Sequence, residues 1–394
     1  MSKLLFIFER NMPTVSILMN QFEKLNGYPE IESDFTYLTD VTPSLIDSHD
    51  IIFFIRPMDI LSYKIAVSAR QAGHLVVTLC DDDLLNLPKS VPSIPLRKKG
   101  LQKILSISDV VGSSSRNILS RYSVLTAGKR SALTDSIVKP NAFNGIEKDH
   151  NKSDYVKIVY AAAADHTSLF EKFISPIASR LGEEFGDKLS FTFISVRPKI
   201  EGVNCRFFAG MPLMEYRKFM KEQRFDIGVA PLNNDEFSKC KYFNKFIEYT
   251  IQGIVGIYSN VEPYTYVVED KKTGFLADDN PESWYNAIRT AIKQKELRQS
   301  CLSNAIDYLK ENHSEQACME RLISGIPEIL NAEGRTYKRC GGFGLQKVKY
   351  YLLKPLDWLY LTWFFLRKTG ISGFFKRVKT HFVEAKAYRR RKEK

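Results

Sequence analysis

The sequence predicts an α/β architecture: two Rossmann-like, doubly wound domains facing one another across a cleft, followed by a basic, aromatic tail. Three observations carry that prediction. The chain has 394 residues, and a single hydrophobic core rarely grows past about 250–300. Short, nearly continuous apolar runs alternate with helical patterns in two series divided by a polar stretch, as in parallel sheets covered on both faces. The charge is concentrated at one end: residues 335–394 hold 17 Lys/Arg against 3 acidic residues, while the other 334 hold 40 basic and 42 acidic side chains.

In chain order, KLLFIF, DIIFFIR, HLVVTLCD and DVVGSSS read as buried strands, with helical stretches such as Tyr63–Ala72 between them. VKPNAFNGIEKDHNKSDY, residues 138–155, is polar and rich in turn formers, and reads as a linker. A second alternating series follows: VKIVYAAAA, LSFTFISV, VNCRFFAG, FDIGVAPL and GIVGIYSN. The expected divisions are a first domain at 1–142, a second at 143–334, and the tail at 335–394. Open sheets of this kind bind ligands at the carboxyl ends of their strands, so the cleft between the two halves is the expected site.

Composition narrows the classes. A hydrophobic fraction of 44% fits a soluble globular protein. The apolar run at the N-terminus, Leu4–Phe8, is shorter than the roughly 7–15 residues of a secretory signal core and reads as the first strand. Cysteines 80, 205, 240, 301, 318 and 340 are scattered, with no CxxC and no His/Cys cluster. Free thiols in a reducing cytosol are therefore expected, rather than disulfides or structural zinc. The body of the chain is near neutral, so a partner for the positive charge belongs at the C-terminal end alone.

FSKCKYFNKFIEY, residues 237–249, lies between the strands FDIGVAPL and GIVGIYSN, after the loop NNDEF. As one helix it would start near Ser238 as N-cap and stop at Gly253. Lys241, Lys245 and Glu248, at i, i+4 and i+7, would share a face, with Phe243, Phe246 and Ile247 turned to the sheet. Helix N-terminal amides and two lysines at the carboxyl edge of a sheet suit a diphosphate. Glu248, deeper, suits sugar hydroxyls. A solvated face with an ordinary Lys–Glu pair explains the same residues.

The wider stretch 226–288, from DIGVAPLNNDEF through GIVGIYSNVEPYTYVVEDKKTGFLADDNPESWYNAI, resembles the nucleotide-sugar-binding domain of family-four retaining glycosyltransferases of the GT-B fold. Asp226, Pro231, Phe237, Lys241, Lys245, Glu248, Tyr249, Gly253, Ser259, Pro263, Tyr264, Gly274 and Trp284 match that family's pattern in register. The likeness is good over about 156–330 and thinner over 1–140. It implies a sugar donor carried on a nucleoside diphosphate, bound by Phe237, Lys241, Lys245, Glu248 and Tyr249. It also implies diphosphate binding through lysines and helix dipoles, with no metal and no cofactor beyond the donor.

Three departures stand out. The family's first glutamate, eight residues before Glu248, is Cys240 here; the basic pair after the first strand of this domain is missing, with no Lys or Arg until Lys172; and ERNMPT replaces a glycine-rich loop after the first strand of the chain. Phosphate binding is then expected to lean on Lys241, Lys245 and the helix start at Asp165–Thr167.

In CDDDLLNLP the carboxylates follow a buried strand of the first half. Asp82 and Asp83 are expected to orient the acceptor hydroxyl or take its proton, and helix capping is the plainer alternative. His166 opens the helix after YAAAAD and in the resembling fold faces the donor phosphates; a structural histidine is the alternative. Glu262, in NVEPYTY, lies in a strand-end loop that could meet the sugar or simply turn in solvent. The tail mixes Trp358, Trp363, Phe364, Phe374 and Phe375 with cations, and its longest apolar run, Leu359–Leu366, is too short to span a bilayer. It suits a segment lying on an anionic membrane. A packed helix with a free basic end and a nucleic-acid contact are the rivals, and no nucleic acid is expected. The resemblance implies transfer to a glycan or lipid-linked acceptor in cell-surface polysaccharide or glycoconjugate biosynthesis, with retention, at the cytoplasmic face of the membrane. A catalytically impaired relative serving as a binding or partner subunit is the alternative, kept open by Cys240.

Overall fold

The computed structural model describes residues 2–10, 12–22, 25, 27–88, 95–146, 155–162, 166–331 and 336–392. The first half is built on β1 (Ser2–Phe8), β2 (Ile31–Tyr37), β3 (Ile51–Ile55), β4 (Leu75–Leu79), β5 (Val110–Ser113) and β6 (Arg130–Leu133), ordered β2-β1-β3-β4-β5-β6. The second is built on β7 (Val156–Ala161), β8 (Leu189–Ile194), β9 (Asn204–Phe208), β10 (Ile227–Ala230), β11 (Val255–Ser259) and β12 (Phe275–Ala277), ordered β12-β11-β10-β7-β8-β9. Every strand pairing in the two sheets is parallel. Helices cover both faces, as the apolar runs predict.

The strand orders locate the crevices. In the first sheet the winding reverses between β1 and β3, and in the second between β7 and β10. Loops leaving the carboxyl ends of those strands part at these points and leave room for a ligand. The central strands need no alternation because both faces are buried: β3, β4, β10 and β11 are buried at every residue. Aromatic packing sets the spacing within the cores. Phe6 stacks on Phe35 at 4.6 Å and on Phe53 at 4.5 Å in the first half. Phe170 meets Phe193 edge-on at 4.9 Å in the second.

The chain does not keep to its expected divisions. Helix Glu315–Gly325, capped by Ser314, packs on β6. Its Met319 and Leu322, with Ile326 and Ile329 beyond, are buried among Leu4, Phe6 and Phe53. Arg130 holds Glu328 in a bidentate pair at 2.8 and 2.9 Å. Residues 315–329 therefore complete the first half, although they follow the second in sequence.

The start of the tail is also part of that body, which corrects its reading as a surface segment from residue 335. Tyr337 stacks on His74 at 4.2 Å, and the Cys340 amide donates to Asp47 at 2.8 Å. Phe343 and Tyr350 are buried in the first core. Helix Gly344–Lys392, kinked at Gly370, carries Asp357 onto Arg97, whose guanidinium also grips Glu9 at 2.9 and 3.1 Å. Burial opposes ionisation of Glu9, but the charges of Arg97 and Lys354 outweigh it and hold that carboxyl below its usual range. Among the described residues, no helix is long and apolar enough to cross a membrane.

Candidate functional site

The residues 236–251 form two helices, not one. Asp235 caps the short helix Glu236–Lys239, accepting from the Ser238 amide at 2.7 Å. Ser238 is thus inside the helix and is not its N-cap. The chain then breaks, and Asn244–Ile251 begins with no side-chain cap on its first turn. Gly253 ends it with a positive φ of 73°, a backbone state that glycine adopts without strain. The break separates the predicted trio. Lys245 and Glu248 lie on the second helix and pair at 2.9 Å, while Lys241 lies in the connection.

Lys241 lines a cavity of about 270 Å³ between the two halves. Thr14, Arg56, Asp81 and Asp82 of the first half line it too, as does Asn244 at the start of the second helix. Asp81 and Asp82 follow β4, and Arg56 follows β3 with a positive φ of 48° that aims it into the cluster. Arg56 Nη1 donates to Asp81 at 3.0 Å and to Asp82 at 3.5 Å, and the Thr14 hydroxyl donates to Asp81. Burial and then the neighbouring charge of Asp81 raise the Asp82 carboxyl above its usual range, against the pull of Lys241 and Arg56. A carboxyl so placed can accept a hydroxyl's hydrogen bond once it ionises.

Asp83 is not in this cavity. It is fully buried, and Tyr122 donates to it at 2.7 Å, Arg121 at 2.5 Å and Asn86 at 3.0 Å. No helix starts between Asp81 and residue 88, so the cluster does not cap one either. Arg121 continues to Glu236 of the second half at 2.8 Å, and Cys240 Sγ rests 3.9 Å from Asp83. Asp83 therefore ties the halves together. Burial raises its pKa, but the three donors and the charge of Arg121 prevail and hold it below the usual range. A depressed folded value means the unfolded chain takes up the proton first. Its stabilisation is complete above about pH 4 and is lost as pH falls through the lower folded value. Asp83→Ala strands Arg121 and is expected to cost about 3 kcal/mol, the low end for a buried pair because Arg121 keeps Glu236 and some solvent. Urea unfolding at neutral pH measures it, and an unchanged midpoint contradicts the tie.

The remaining predicted residues divide. Glu248 accepts from the Tyr216 hydroxyl as well as from Lys245, and the Lys245 ammonium sits 5.6 Å from the Tyr216 and Tyr249 ring centroids. Tyr249 is buried with its hydroxyl on the Val229 carbonyl at 3.0 Å. It fills the space that Gly228 leaves, where a Cβ would lie 2.5 Å from the ring. Tyr249 therefore builds the core under the site and cannot touch a donor there. Phe237 lies under the Lys241 ammonium at 4.9 Å. Glu262 accepts from Asn117 of the first half at 2.7 Å, and the same amide donates to the Lys239 carbonyl at 2.8 Å. His166 precedes the helix Thr167–Phe173, and its carbonyl accepts from Tyr160 at 2.8 Å. The Asp165 part of that helix start lies outside the described residues.

Sequence reasoning took Asp81 only as a neighbour of Asp82 and Asp83, and passed over Arg56, Asn117 and Arg121. Arg56 had a signal: it closes the apolar run DIIFFIR at a carboxyl strand end. Asn117 and Arg121 had none, since their role appears only when the halves meet. The Cys240 departure acquires a physical reason. The thiol is buried in the first core, pushed up to about 11 by burial, and a glutamate there would set a second carboxylate against Asp83.

No family model matches the chain, and no curated protein matches it in sequence. Solved structures do match in fold. Anabaena HepE in complex with UDP and glucose superposes with a TM-score of 0.59 at 10% identity, over 83% of this chain and 100% of that one. Sucrose-phosphate synthase from Thermosynechococcus elongatus gives 0.60 at 11%, over 84% and 100%. A UDP-forming α,α-trehalose-phosphate synthase from Burkholderia xenovorans gives 0.56 at 11%, over 84% and 100%. The fold is GT-B. In GT-B terms, the cavity bounded by Asp82 and Lys241 is the cleft between the two Rossmann-like halves.

Proposed function

We propose that the protein is a glycosyltransferase, moving a sugar from a nucleoside-diphosphate sugar to a hydroxyl of a glycan or lipid-linked glycan. The observation that carries the reading is the inter-half cavity, with acid groups from the first sheet facing Lys241 from the second. Lys241 and the uncapped start of the Asn244 helix supply the positive pole for a diphosphate. Lys245 and Glu248, neighbours on one helix face, meet the donor's phosphate and hydroxyls. Asp82 orients the acceptor hydroxyl, Arg56 fixes Asp82, and Glu262 is held at the cleft by Asn117. HepE was solved with UDP and glucose, which favours a nucleotide sugar of that kind for the same cleft here. On this reading the anomeric configuration is retained. The departing phosphate takes the acceptor's proton, and the lysines stabilise its growing charge. Its setting is cell-surface polysaccharide or glycoconjugate synthesis at the cytoplasmic face of a membrane, held there by the basic tail.

The burial of Cys240 favours a second reading, a binding subunit that holds a donor without turning it over. Calorimetric titration with the cognate nucleoside diphosphate tests the site common to both. Lys245→Ala and Glu248→Ala should each weaken binding about tenfold, the loss of one charge-assisted hydrogen bond. Unchanged affinity in both removes the donor assignment. Tight donor binding with no product from any acceptor favours the second reading.

A further inference from the structure

The C-terminal helix shows two opposite faces. Phe343 just before it and Tyr350, Lys354 and Asp357 within it point to the body, and Tyr350, Lys354 and Asp357 meet Glu9 or Arg97 there. Leu345, Val348, Leu352, Leu356, Leu359 and Trp363 point away, each 53–71% exposed. At 3.6 residues per turn these six fall within an arc of about 80°, on the side opposite the docked one.

The helix also has a definite place. Tyr337 donates to Asp50, which precedes β3, so the segment starts at the amino edge of the first sheet. Glu9 directly follows β1, so Tyr350–Asp357 lie at the carboxyl edge. From Asp357 the helix continues for about 20 Å to the kink at Gly370. The cavity residues Arg56, Asp81 and Asp82 follow β3 and β4 at that same edge.

We propose that the outward stripe of this helix lies on an anionic lipid bilayer and seats the acceptor edge of the first sheet at the membrane surface. Charge selects the occupant. Lys349 and Arg367 flank the stripe, Asp357 is turned inward onto Arg97, and residues 372–394 add nine Lys/Arg against two acidic residues. A second copy would bring like charges together. The spacing of the stripe, 3-4-4-3-4, repeats every 3.6 residues across Pro355, whereas a supercoiled partner needs 3.5. A plane of lipid suits such an apolar stripe with cations at its margin. The inference deepens the membrane-held reading above and rests on it, but needs neither donor nor acceptor to be tested.

Full-length protein is sedimented with vesicles of phosphatidylcholine, alone or with phosphatidylglycerol as the minor component. Strong binding is expected only with phosphatidylglycerol. Leu352→Glu combined with Leu359→Glu, both at exposed positions, should weaken it about tenfold or more with the Tm unchanged. A chain ending at residue 371 should keep measurable, less salt-sensitive binding. If the truncated chain loses all binding while the double variant keeps it, the basic end alone attaches the protein; the stripe is then overturned and the membrane reading survives. If full-length protein ignores both vesicles, both fail. A dimer seen by light scattering and broken by the double variant also overturns the proposal, because the stripe would then be a protein interface.

Discussion

Asp82→Asn lowers sugar transfer by about tenfold or more, the loss of a hydrogen bond to a charged group, and leaves donor affinity unchanged. The carboxyl lines the inter-half cavity, on the first-sheet side, facing the lysine and uncapped helix start of the second. Its pKa is raised by burial and by Asp81, so the ionised form that accepts from a hydroxyl fills only as pH climbs above the usual carboxylate range. Transfer should therefore rise with pH through that interval, and the rising limb should vanish in the asparagine variant. Asn keeps the size and hydrogen-bonding capacity of the side chain while removing the charge, so a folding defect is not expected to confuse the result. Initial rates against pH, with donor affinity measured separately, decide it. Full activity in the variant returns Asp82 to a structural role beside Arg56.

Removing residues 336–394 destabilises the first half by about 3–6 kcal/mol, the burial of two large side chains. Phe343 and Tyr350 are part of its core, and Arg97 would lose Asp357 while Glu9 lost Lys354. For a body of this size the Tm should fall by about 10 °C or more. Ending the chain at residue 371 spares every one of those contacts and should leave the Tm where it was. Equal melting of the two truncated chains and the full one contradicts the docking of residues 337–357 on the first half.

The fold was legible because buried parallel strands advertise themselves. DIIFFIR or FDIGVAPL has apolar residues on both faces, and only the centre of a covered sheet asks for that. The strands left unread, Ile31–Tyr37, Arg130–Leu133 and Phe275–Ala277, are sheet edges; the first two carry the polar residues a free flank tolerates, and the third is only three residues long. Lys241 and Lys245 drew notice through their spacing and the resemblance around them. The helix break between Lys239 and Asn244 was not, because FSKCKYFNKFIEY has no proline or glycine to announce it. Asp82 and Asp83 look equivalent in sequence, and burial alone divides them, one at the cavity and one bound to Tyr122 and Arg121. The docking of residues 337–357 was hidden for a related reason. Charge counting weighs all of 335–394 together, whereas Tyr350 and Asp357 act individually through partners 341 and 260 positions away.

The central claim is that the cleft between the halves takes a nucleotide sugar, and thermal shift of the full-length protein tests it most directly. UDP-, GDP-, dTDP- and ADP-sugars are titrated in parallel, with Lys241→Ala beside the unaltered chain. One nucleotide class should raise the Tm progressively, approaching about 2.7 kcal/mol of added stability at a hundred times its Kd, and Lys241→Ala should need markedly more ligand for the same shift. No shift with any of the four, or an equal shift in Lys241→Ala, contradicts the account.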